Sequence, residues 1–221
     1  MKTRTIINIF AWAFRRLTSL QIEGLENVPR QGAAILVVNH LGFLDVPLGY
    51  VALDREDATG WVADKHKRIW LYRFVVNTAG GVWLNRENPD LSSIKEALTL
   101  LKRGRLFAVA PEGTRSATDA LIEGKEGVAY LAIQSQVPVI PAAITGTENV
   151  LQSWKRFRRP LLKIRFGSPF QLPPLDRARR QQQLSEGILE IMCQIAALLP
   201  GKYHGVYAGQ SRIREIQRQS P

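Results

Sequence analysis

The chain has 221 residues, enough for one α/β domain with a substantial hydrophobic core or at most two small domains. Its hydrophobic content of 45% is typical of a folded globular protein, and its formal net charge of +11 predicts an anionic partner: nucleic acid, a membrane surface or a phosphorylated substrate. A single cysteine, Cys193, excludes an internal disulfide framework and fits a reducing cytosolic compartment; with only three scattered histidines, no metal-ligand spacing is present.

The N-terminal segment has the pattern of an amphipathic helix flanked by cationic residues. Its apolar residues recur every three or four positions, at Ile6, Ile9, Phe10, Ala13, Phe14 and Leu17. The segment is shorter than the roughly 20 apolar residues that span a bilayer, and no small-residue cleavage site follows it. We predict that residues 1–19 form a helix lying in a membrane interface, with docking on the domain's own core as the alternative.

Strand-like apolar runs and helix-like patterns alternate over the rest of the chain. The sequence predicts strands at 20–22, 33–38, 61–63, 81–84, 106–110, 137–144 and 161–166, and helices at 47–53, 69–76, 91–101, 127–135 and 184–199. This alternation predicts one α/β domain over residues 20–205, with a mostly parallel central sheet flanked by helices. Residues 206–221 form a polar C-terminal tail in this prediction, frayed from residue 210.

A histidine and a carboxylate directly follow the predicted strand 33–38. Because His40 and Asp45 are five residues apart, a continuous helix would place their side chains about 140° apart and prevent contact. Gly42 and Pro47 favour a turn that enters a helix only near residue 45, which allows contact. The imidazole could then accept a proton while the carboxylate orients it. Asp45 as a helix N-cap and His40 as a hydrogen-bonded core histidine remain alternatives at this point.

A glycine-containing turn follows the predicted strand 106–110. It holds Glu112, Gly113, Thr114 and Arg115, and the carboxyl end of a strand is where α/β folds bind ligands. Backbone N–H groups, hydroxyls and an arginine suit an anionic oxygen, and Lys125 could add charge at the same opening. An ordinary capped loop with a surface arginine is the alternative.

Two other segments give weaker signals. The predicted strand 81–84 delivers Arg86 to the same edge as His40 if the sheet is parallel. Residues 154–180 contain many basic residues and one acid, Asp176, with Trp154, Phe157 and Phe166 interleaved. This basic stretch is either a solvated face or a surface that contacts an anionic membrane. Nucleic acid is not expected to be a partner, because no recognition motif accompanies the charge.

Taken in chain order, these segments resemble the four sequence blocks of the glycerolipid acyltransferase family, which includes bacterial 1-acylglycerol-3-phosphate acyltransferases. Asn39, His40 and Asp45 match its first block, the HX4D motif, and residues 111–116 (Pro-Glu-Gly-Thr-Arg-Ser) match its third. Residues 80–86 match the second block and residues 137–141 the fourth, so the resemblance spans about residues 20–170. Family members often have Ser where this chain has Gly42 and Phe where it has Ala110.

The resemblance implies acyl transfer from acyl-CoA or acyl-carrier protein to the sn-2 hydroxyl of 1-acylglycerol-3-phosphate, which produces phosphatidic acid. Another lyso-lipid or glycerol-3-phosphate is an alternative acceptor, and thioester or lysolipid hydrolysis is a more distant alternative. His40 would be the general base and Asp45 would orient it, with no cofactor beyond the acyl donor and no metal. The protein would act as a peripheral protein on the cytoplasmic face of a membrane.

The resemblance also implies roles for the binding residues. Arg86 and Arg115 would bind the phosphate of the lipid acceptor, with Lys125 and Lys65 nearby. Glu112 would position the glycerol or orient one of these arginines, and the N–H groups of the Gly113–Thr114 turn would stabilise the oxyanion. The N-terminal apolar stripe and the basic stretch would hold the site against an anionic membrane surface.

Overall fold

A seven-stranded sheet organises the chain in the computed structural model, which describes residues 2–64, 68, 70–84 and 91–219. Its strands are β1 Ser19–Glu23, β2 Ala34–Val38, β3 Thr59–Ala63, β4 Val82–Leu84, β5 Leu106–Val109, β6 Val139–Thr145 and β7 Leu161–Phe166. They lie in the order β1-β7-β6-β2-β5-β3-β4. The five strands from β6 to β4 in that order are parallel to one another, whereas β7 is antiparallel to β6 and parallel to β1. The predicted α/β class and mostly parallel sheet are confirmed.

The described residues also form eight α-helices, which cover both faces of the sheet. They are α1 Lys2–Leu17, α2 Asp45–Leu53, α3 Trp70–Ala79, α4 Leu91–Lys102, α5 Glu126–Ser135, α6 Val150–Lys155, α7 Arg180–Leu198 and α8 Ser211–Gln219. Successive side chains of a strand point to opposite faces, so Ile35 and Val37 of β2 join one core while Ala34 and Leu36 join the other. The first core packs against α4, α5, α7 and α8, and the second packs against α1, α2 and α6.

Strand direction decides which loops lie together. Since β2, β5 and β6 are parallel, they all end at one edge of the sheet, here called the carboxyl edge. Strands β7 and β1 run the other way, so their first residues, Leu161 and Ser19, lie at this same edge and pair with each other. The end of α1 and the connection from α6 to β7 are therefore brought to the edge where His40 follows β2.

Helix α1 packs against the domain with one face and leaves another face open. Ile7 and Phe14 are buried, and Arg4 forms ion pairs with Asp54 and Glu56 just after α2. The sequence predicted that one apolar stripe forms a single face of α1. That prediction is wrong, because Ile9 of the stripe is exposed whereas Phe14 is buried. Trp12 is also 64% exposed. Among the helices that the structure describes, none is long and apolar enough to cross a bilayer.

Residues 206–219 pack against the domain, contrary to the prediction of a polar tail over 206–221 that is frayed from residue 210. Helix α8 buries Ile213 and Ile216 against α7, and the Arg212 guanidinium donates to the Glu190 carboxylate (Nε–Oε2 2.8 Å). Two isoleucines three positions apart form an apolar face that the polar composition of the segment conceals. Helix α6 is a second element that the sequence prediction missed.

Candidate active site

Asn39 fixes the point where β2 ends. Its buried side-chain amide donates to the Ile144 carbonyl (2.9 Å) and its carbonyl oxygen accepts from the Ile144 N–H (2.7 Å). The side chain thus replaces a ladder of backbone hydrogen bonds just where β2 and β6 diverge. Because an amide has one donor and one acceptor in this geometry, neither Asp nor Leu could make both bonds. His40, the next residue, is delivered from this fixed position to the carboxyl edge.

The His40 imidazole and the Asp45 carboxylate are in direct contact. The His40 Nδ1 atom lies 2.6 Å from Asp45 Oδ2, so the Nδ1–H donates to the carboxylate and Nε2 is the ring nitrogen that can accept a proton. Oδ2 also accepts from the Leu41 and Gly42 amides (2.7 and 2.8 Å). These bonds close the turn that the sequence predicted between the two residues.

Asp45 is not a helix N-cap. It is the first residue of α2, the N-cap position belongs to Leu44, and no side chain caps the helix. The Asp45 side chain instead reaches back to the amides that precede the helix. The interpretation of His40 as a core histidine bonded to a backbone carbonyl is also wrong, since its Nδ1 bonds the carboxylate and its side chain is 20% exposed.

Thr147 is a site residue that the sequence analysis missed. Its hydroxyl donates to Asp45 Oδ1 (2.5 Å), and both residues are buried. Thr147 follows β6, so the rule that parallel strands end at one edge could have identified it. The backbone of Thr147 also explains Gly42: a Cβ there would lie 2.7 Å from the Thr147 carbonyl oxygen, so the Ser common in the family would clash.

Glu112 holds the backbone of His40. The side chain is buried, one carboxylate oxygen accepts from the His40 N–H (3.1 Å), and the other accepts from the Ile122 N–H (3.1 Å). Burial raises the pKa of the Glu112 carboxyl, and the two amide donors partly offset this effect. The Ser116 N–H in turn donates to the His40 carbonyl (2.9 Å). The loop after β5 therefore holds His40 through both its amide and its carbonyl group.

The C-terminal segment supports this loop from outside. The Leu121 amide donates to the Tyr203 carbonyl (2.8 Å), and the Gly124 amide donates to the Tyr207 hydroxyl (3.0 Å). Burial of Tyr207 raises the pKa of its phenol, which remains a neutral donor or acceptor at physiological pH. Residues beyond 205, predicted as a tail, therefore belong to the structure that positions Glu112.

Three of the predicted binding side chains lie exposed beside this loop. Thr114 and Arg115 are exposed, and so is Lys125, whose Cγ lies 3.6 Å from the position of a Cβ on Gly113. Gly113 adopts a left-handed conformation (φ 70°), and its amide donates to the Ala110 carbonyl (3.0 Å), so this amide is already used within the turn. The Gly113 and Thr114 amides are predicted from the sequence to stabilise the oxyanion. Of these two, the Gly113 amide is already hydrogen-bonded within the turn. Lys65 and Arg86 lie outside the described residues.

The geometry defines a site for proton transfer at the carboxyl edge of an α/β sheet. A histidine whose ring is oriented by a buried carboxylate can deprotonate a hydroxyl, and the adjacent cations favour an anionic molecule. The family model for acyltransferases matches residues 19–145, which contain His40, Asp45 and Glu112. The chain belongs to this acyltransferase family.

Individual relatives agree with this assignment. The chain is 25% identical over 189 residues to a 1-acyl-sn-glycerol-3-phosphate acyltransferase from Bacillus subtilis (strain 168), covering 78% of this chain and 87% of the relative. It is 29% identical over 147 residues to the protein of the same name from Cocos nucifera, covering 62% of this chain but only 46% of that relative.

The fold is also similar to that of a solved structure. The crystal structure of the 1-acyl-sn-glycerophosphate acyltransferase PlsC from Thermotoga maritima aligns with a TM-score of 0.65 at 24% identity, covering 84% of this chain and 76% of the other. At this identity the similarity supports the α/β architecture, and the roles of individual residues here depend on the contacts described above.

Replacing Thr147 by Val removes the hydroxyl that donates to Asp45 but keeps the side-chain shape. We expect kcat/KM for acyl transfer to fall about 10- to 100-fold, since a hydrogen bond to a buried charge is worth about 1.5–3 kcal/mol. Thr147→Ser should retain most activity because it keeps the hydroxyl. Thr99→Val is the control, as the exposed hydroxyl donates within its own helix α4, to the Lys95 carbonyl (2.8 Å). Wild-type kcat/KM in Thr147→Val would contradict the role.

Replacing Glu112 by Gln leaves one carbonyl oxygen for two amide donors. We expect kcat to fall roughly tenfold because His40 loses its fixed backbone. The folded-state pKa of Glu112 is raised above 4.5, so folded wild-type protein binds more protons than unfolded protein between 4.5 and that pKa. The unfolding free energy of wild type should therefore fall, relative to that of Glu112→Gln, as pH rises through this window. Urea titration of both proteins at several pH values measures this difference. Exposed Glu123→Gln is the control; identical pH profiles for wild type and Glu112→Gln would refute the assignment.

Proposed function

We propose that the protein transfers a fatty acyl group from acyl-CoA or acyl-carrier protein to the sn-2 hydroxyl of 1-acylglycerol-3-phosphate. The observation that carries this proposal is the His40 ring, which is oriented through Nδ1 by buried Asp45 and leaves Nε2 as the proton acceptor. Among the described residues, no serine or cysteine side chain is hydrogen-bonded to this ring. A hydroxyl of the acceptor takes the place that a serine nucleophile holds in a catalytic triad.

The proton balance of the reaction follows from this arrangement. His40 Nε2 takes the proton of the acceptor hydroxyl while the oxygen attacks the thioester carbonyl carbon. When the resulting tetrahedral intermediate collapses, the C–S bond breaks and the imidazolium returns the proton to the leaving thiolate. Asp45 stabilises the imidazolium between these steps, and proton transfer of this kind contributes about 10²–10⁴-fold in rate.

Charge beside the site supports an acceptor with a phosphate group. Arg115 and Lys125 are exposed, Arg115 two residues after Gly113 and Lys125 close to it in space, at the same loop that holds His40 through Glu112. Arginine binds phosphate oxygens in a fork geometry, and lysine adds a point charge. Arg86 and Lys65 keep the roles that the resemblance implies for them. The names of the relatives, which specify a 1-acylglycerol-3-phosphate acceptor, support the same choice.

Substrates with long acyl chains reside in membranes, so the protein is proposed to work as a peripheral protein on the cytoplasmic membrane face. The open face of α1 supports this location, because Trp12 and Ile9 remain exposed although the opposite face is docked. Tryptophan is suited to the membrane–water interface, where its ring is apolar and its N–H can be hydrated. The net charge of +11 favours anionic lipid.

His40→Gln tests the reaction itself. With purified protein, mixed micelles and a panel of acyl-CoA, acyl-carrier protein and several lyso-acceptors, we expect kcat to fall at least 10²-fold for every acceptor that wild type uses. His204→Gln is the matched control, because among the described residues that ring bonds the Leu199 carbonyl (Nε2–O 3.0 Å) and no carboxylate. Thiol release that does not require an acceptor would instead identify a hydrolase. Undiminished transfer by His40→Gln would contradict the assignment of His40 as general base.

Arg115→Gln tests recognition of the phosphate. We expect KM for 1-acylglycerol-3-phosphate to rise about tenfold, since a hydrogen bond to a charged group is worth about 1.5–3 kcal/mol, while KM for the acyl donor and turnover of a monoacylglycerol acceptor change little. Exposed Arg177→Gln, in the short turn before α7, controls for the loss of one positive charge. An equal rise in KM for the acyl donor and the acceptor would argue against phosphate binding by Arg115.

A further inference from the structure

One short segment between α6 and β7 exposes a large aromatic side chain among cations. Phe157 is 100% exposed, and Lys155, Arg156 and Arg158 beside it are exposed as well. Within the described part of the chain, none of these three cations takes part in an ion pair. We call residues 155–159 the Phe157 loop. A single exposed apolar side chain is ordinary on a soluble surface, so the backbone conformation at Phe157 and the other apolar side chains at this edge carry the argument.

The backbone of this loop makes the choice of phenylalanine more unusual. The Arg158 amide donates to the Ser153 carbonyl and the Phe157 amide to the Trp154 carbonyl (both 2.9 Å), which is the hydrogen-bond pattern that ends a helix in a Schellman motif. Phe157 occupies the left-handed position of this motif (φ 54°), where glycine is strongly preferred. A bulky residue is strained there, so the fold alone would favour glycine. At this position phenylalanine is therefore less favourable for stability than glycine.

The loop is fixed rigidly to the end of α1. The Trp154 indole N–H donates to the Leu17 carbonyl (3.0 Å), and the Arg159 guanidinium donates to the Arg15 carbonyl (2.7 Å) and to the Thr18 carbonyl. Arg159 is thus used for structure, whereas the other three cations are exposed. Loop and helix end form a single surface, so a partner of one also contacts the other.

This surface lies at the edge of the sheet where the active site opens. Leu161, 54% exposed, starts β7 at the carboxyl edge, and Leu17 precedes β1 there. Phe43, in the turn that holds His40 against Asp45, and Val46, in the first turn of α2, are also exposed at this edge. Apolar side chains beside the catalytic histidine and at the Phe157 loop therefore lie along the same side of the molecule.

We infer that the Phe157 loop binds an anionic lipid bilayer, with Phe157 inserted among the acyl chains and Lys155, Arg156 and Arg158 bound to lipid phosphates. This inference rests on the proposed function, because it places the opening of the active site against the membrane that supplies the acceptor. An apolar tip flanked by cations matches the interfacial region of an anionic membrane, where apolar tails lie beneath a layer of negative charge. The tip protrudes rather than forming a groove, which suits a fluid bilayer better than an acidic protein such as acyl-carrier protein.

The basic stretch predicted over residues 154–180 is therefore divided in the structure. Lys163 and Arg165, on β7, form ion pairs with Glu23 of the neighbouring strand. Arg179 pairs with Glu186 on α7. This helix packs on the first core, whereas α1 and α6 pack on the second core, at the other face of the sheet. Within residues 154–180, Lys155, Arg156 and Arg158 combine exposure, freedom from described ion pairs and a position at the carboxyl edge.

The first experiment measures binding of the full chain to vesicles, without acyl donor or acceptor, so that binding is read independently of catalysis. We expect Phe157→Gly to weaken sedimentation with phosphatidylglycerol-rich vesicles roughly tenfold, with an unchanged or higher Tm, because glycine relieves the left-handed strain. Leu189→Ala, an exposed apolar residue on α7, is the control and should bind like wild type. Wild-type binding by Phe157→Gly would overturn the inference.

The second experiment separates local binding from net charge. Replacing Lys155, Arg156 and Arg158 by Gln should weaken anionic-vesicle binding on the order of a hundredfold, at roughly fivefold per charge. The matched variant replaces Arg177, Arg214 and Arg218 by Gln, which removes the same charge from the α7 and α8 side of the molecule. Equal losses in the two triple variants would overturn the inference. So would lost binding to acyl-carrier protein with retained vesicle binding in the loop variant.

The third experiment reports whether residue 157 enters the bilayer. The only native cysteine, Cys193, is buried, so Phe157→Cys can be labelled selectively with an environment-sensitive fluorophore. Its emission should shift to the blue with anionic vesicles, whereas label at Leu189→Cys should not respond. Failure of acyl transfer with an intact fluorescence response would reject the proposed reaction alone. Transfer in mixed micelles with no response at residue 157 would reject the membrane surface alone.

Discussion

The buried carboxylate of Asp45 is the group on which the rest of the site depends. A buried charge without partners would cost several kcal/mol, and here four donors compensate: His40 Nδ1, the Leu41 and Gly42 amides and the Thr147 hydroxyl. These donors come from the turn after β2 and from the segment after β6. One carboxylate therefore orients the ring, shapes the turn and joins two strand ends, so its loss would disturb the position of His40 as well as its protonation.

The reversed pair of strands at one side of the sheet determines which segments lie beside this site. Had β7 continued parallel to β6, its first residue and the Phe157 loop would lie at the opposite edge from His40. Because β7 and β1 are reversed, the end of α1 and Leu161 lie at the carboxyl edge instead. The same topology that closes the second core thereby places exposed apolar and cationic side chains beside the histidine.

Much of the fold and the central pair could be predicted from the sequence, because both depend on local signals. The apolar strand before His40, together with Gly42 and Pro47, indicates the turn that lets two residues five positions apart meet. The roles of Thr147 and Glu112 could not be predicted in this way. Thr147 reaches Asp45 across 102 positions of chain, and Glu112 bonds a backbone amide, which leaves no trace in side-chain patterns. The burial of Ile213 likewise depends on α7, which a polar local composition does not indicate.

The buried carboxylates and the exposed cations at the carboxyl edge have separate roles. Asp45 and Glu112 are buried, and each is bonded to groups of the His40 segment, so their negative charge acts on the histidine and its backbone. Arg115, Lys125 and the cations of the Phe157 loop are exposed, so the positive charge is presented to solvent at the same edge. An anionic acceptor approaching this edge meets attractive charge first. Its hydroxyl, which carries no charge, is then the part free to reach His40, where the carboxylates would repel a phosphate.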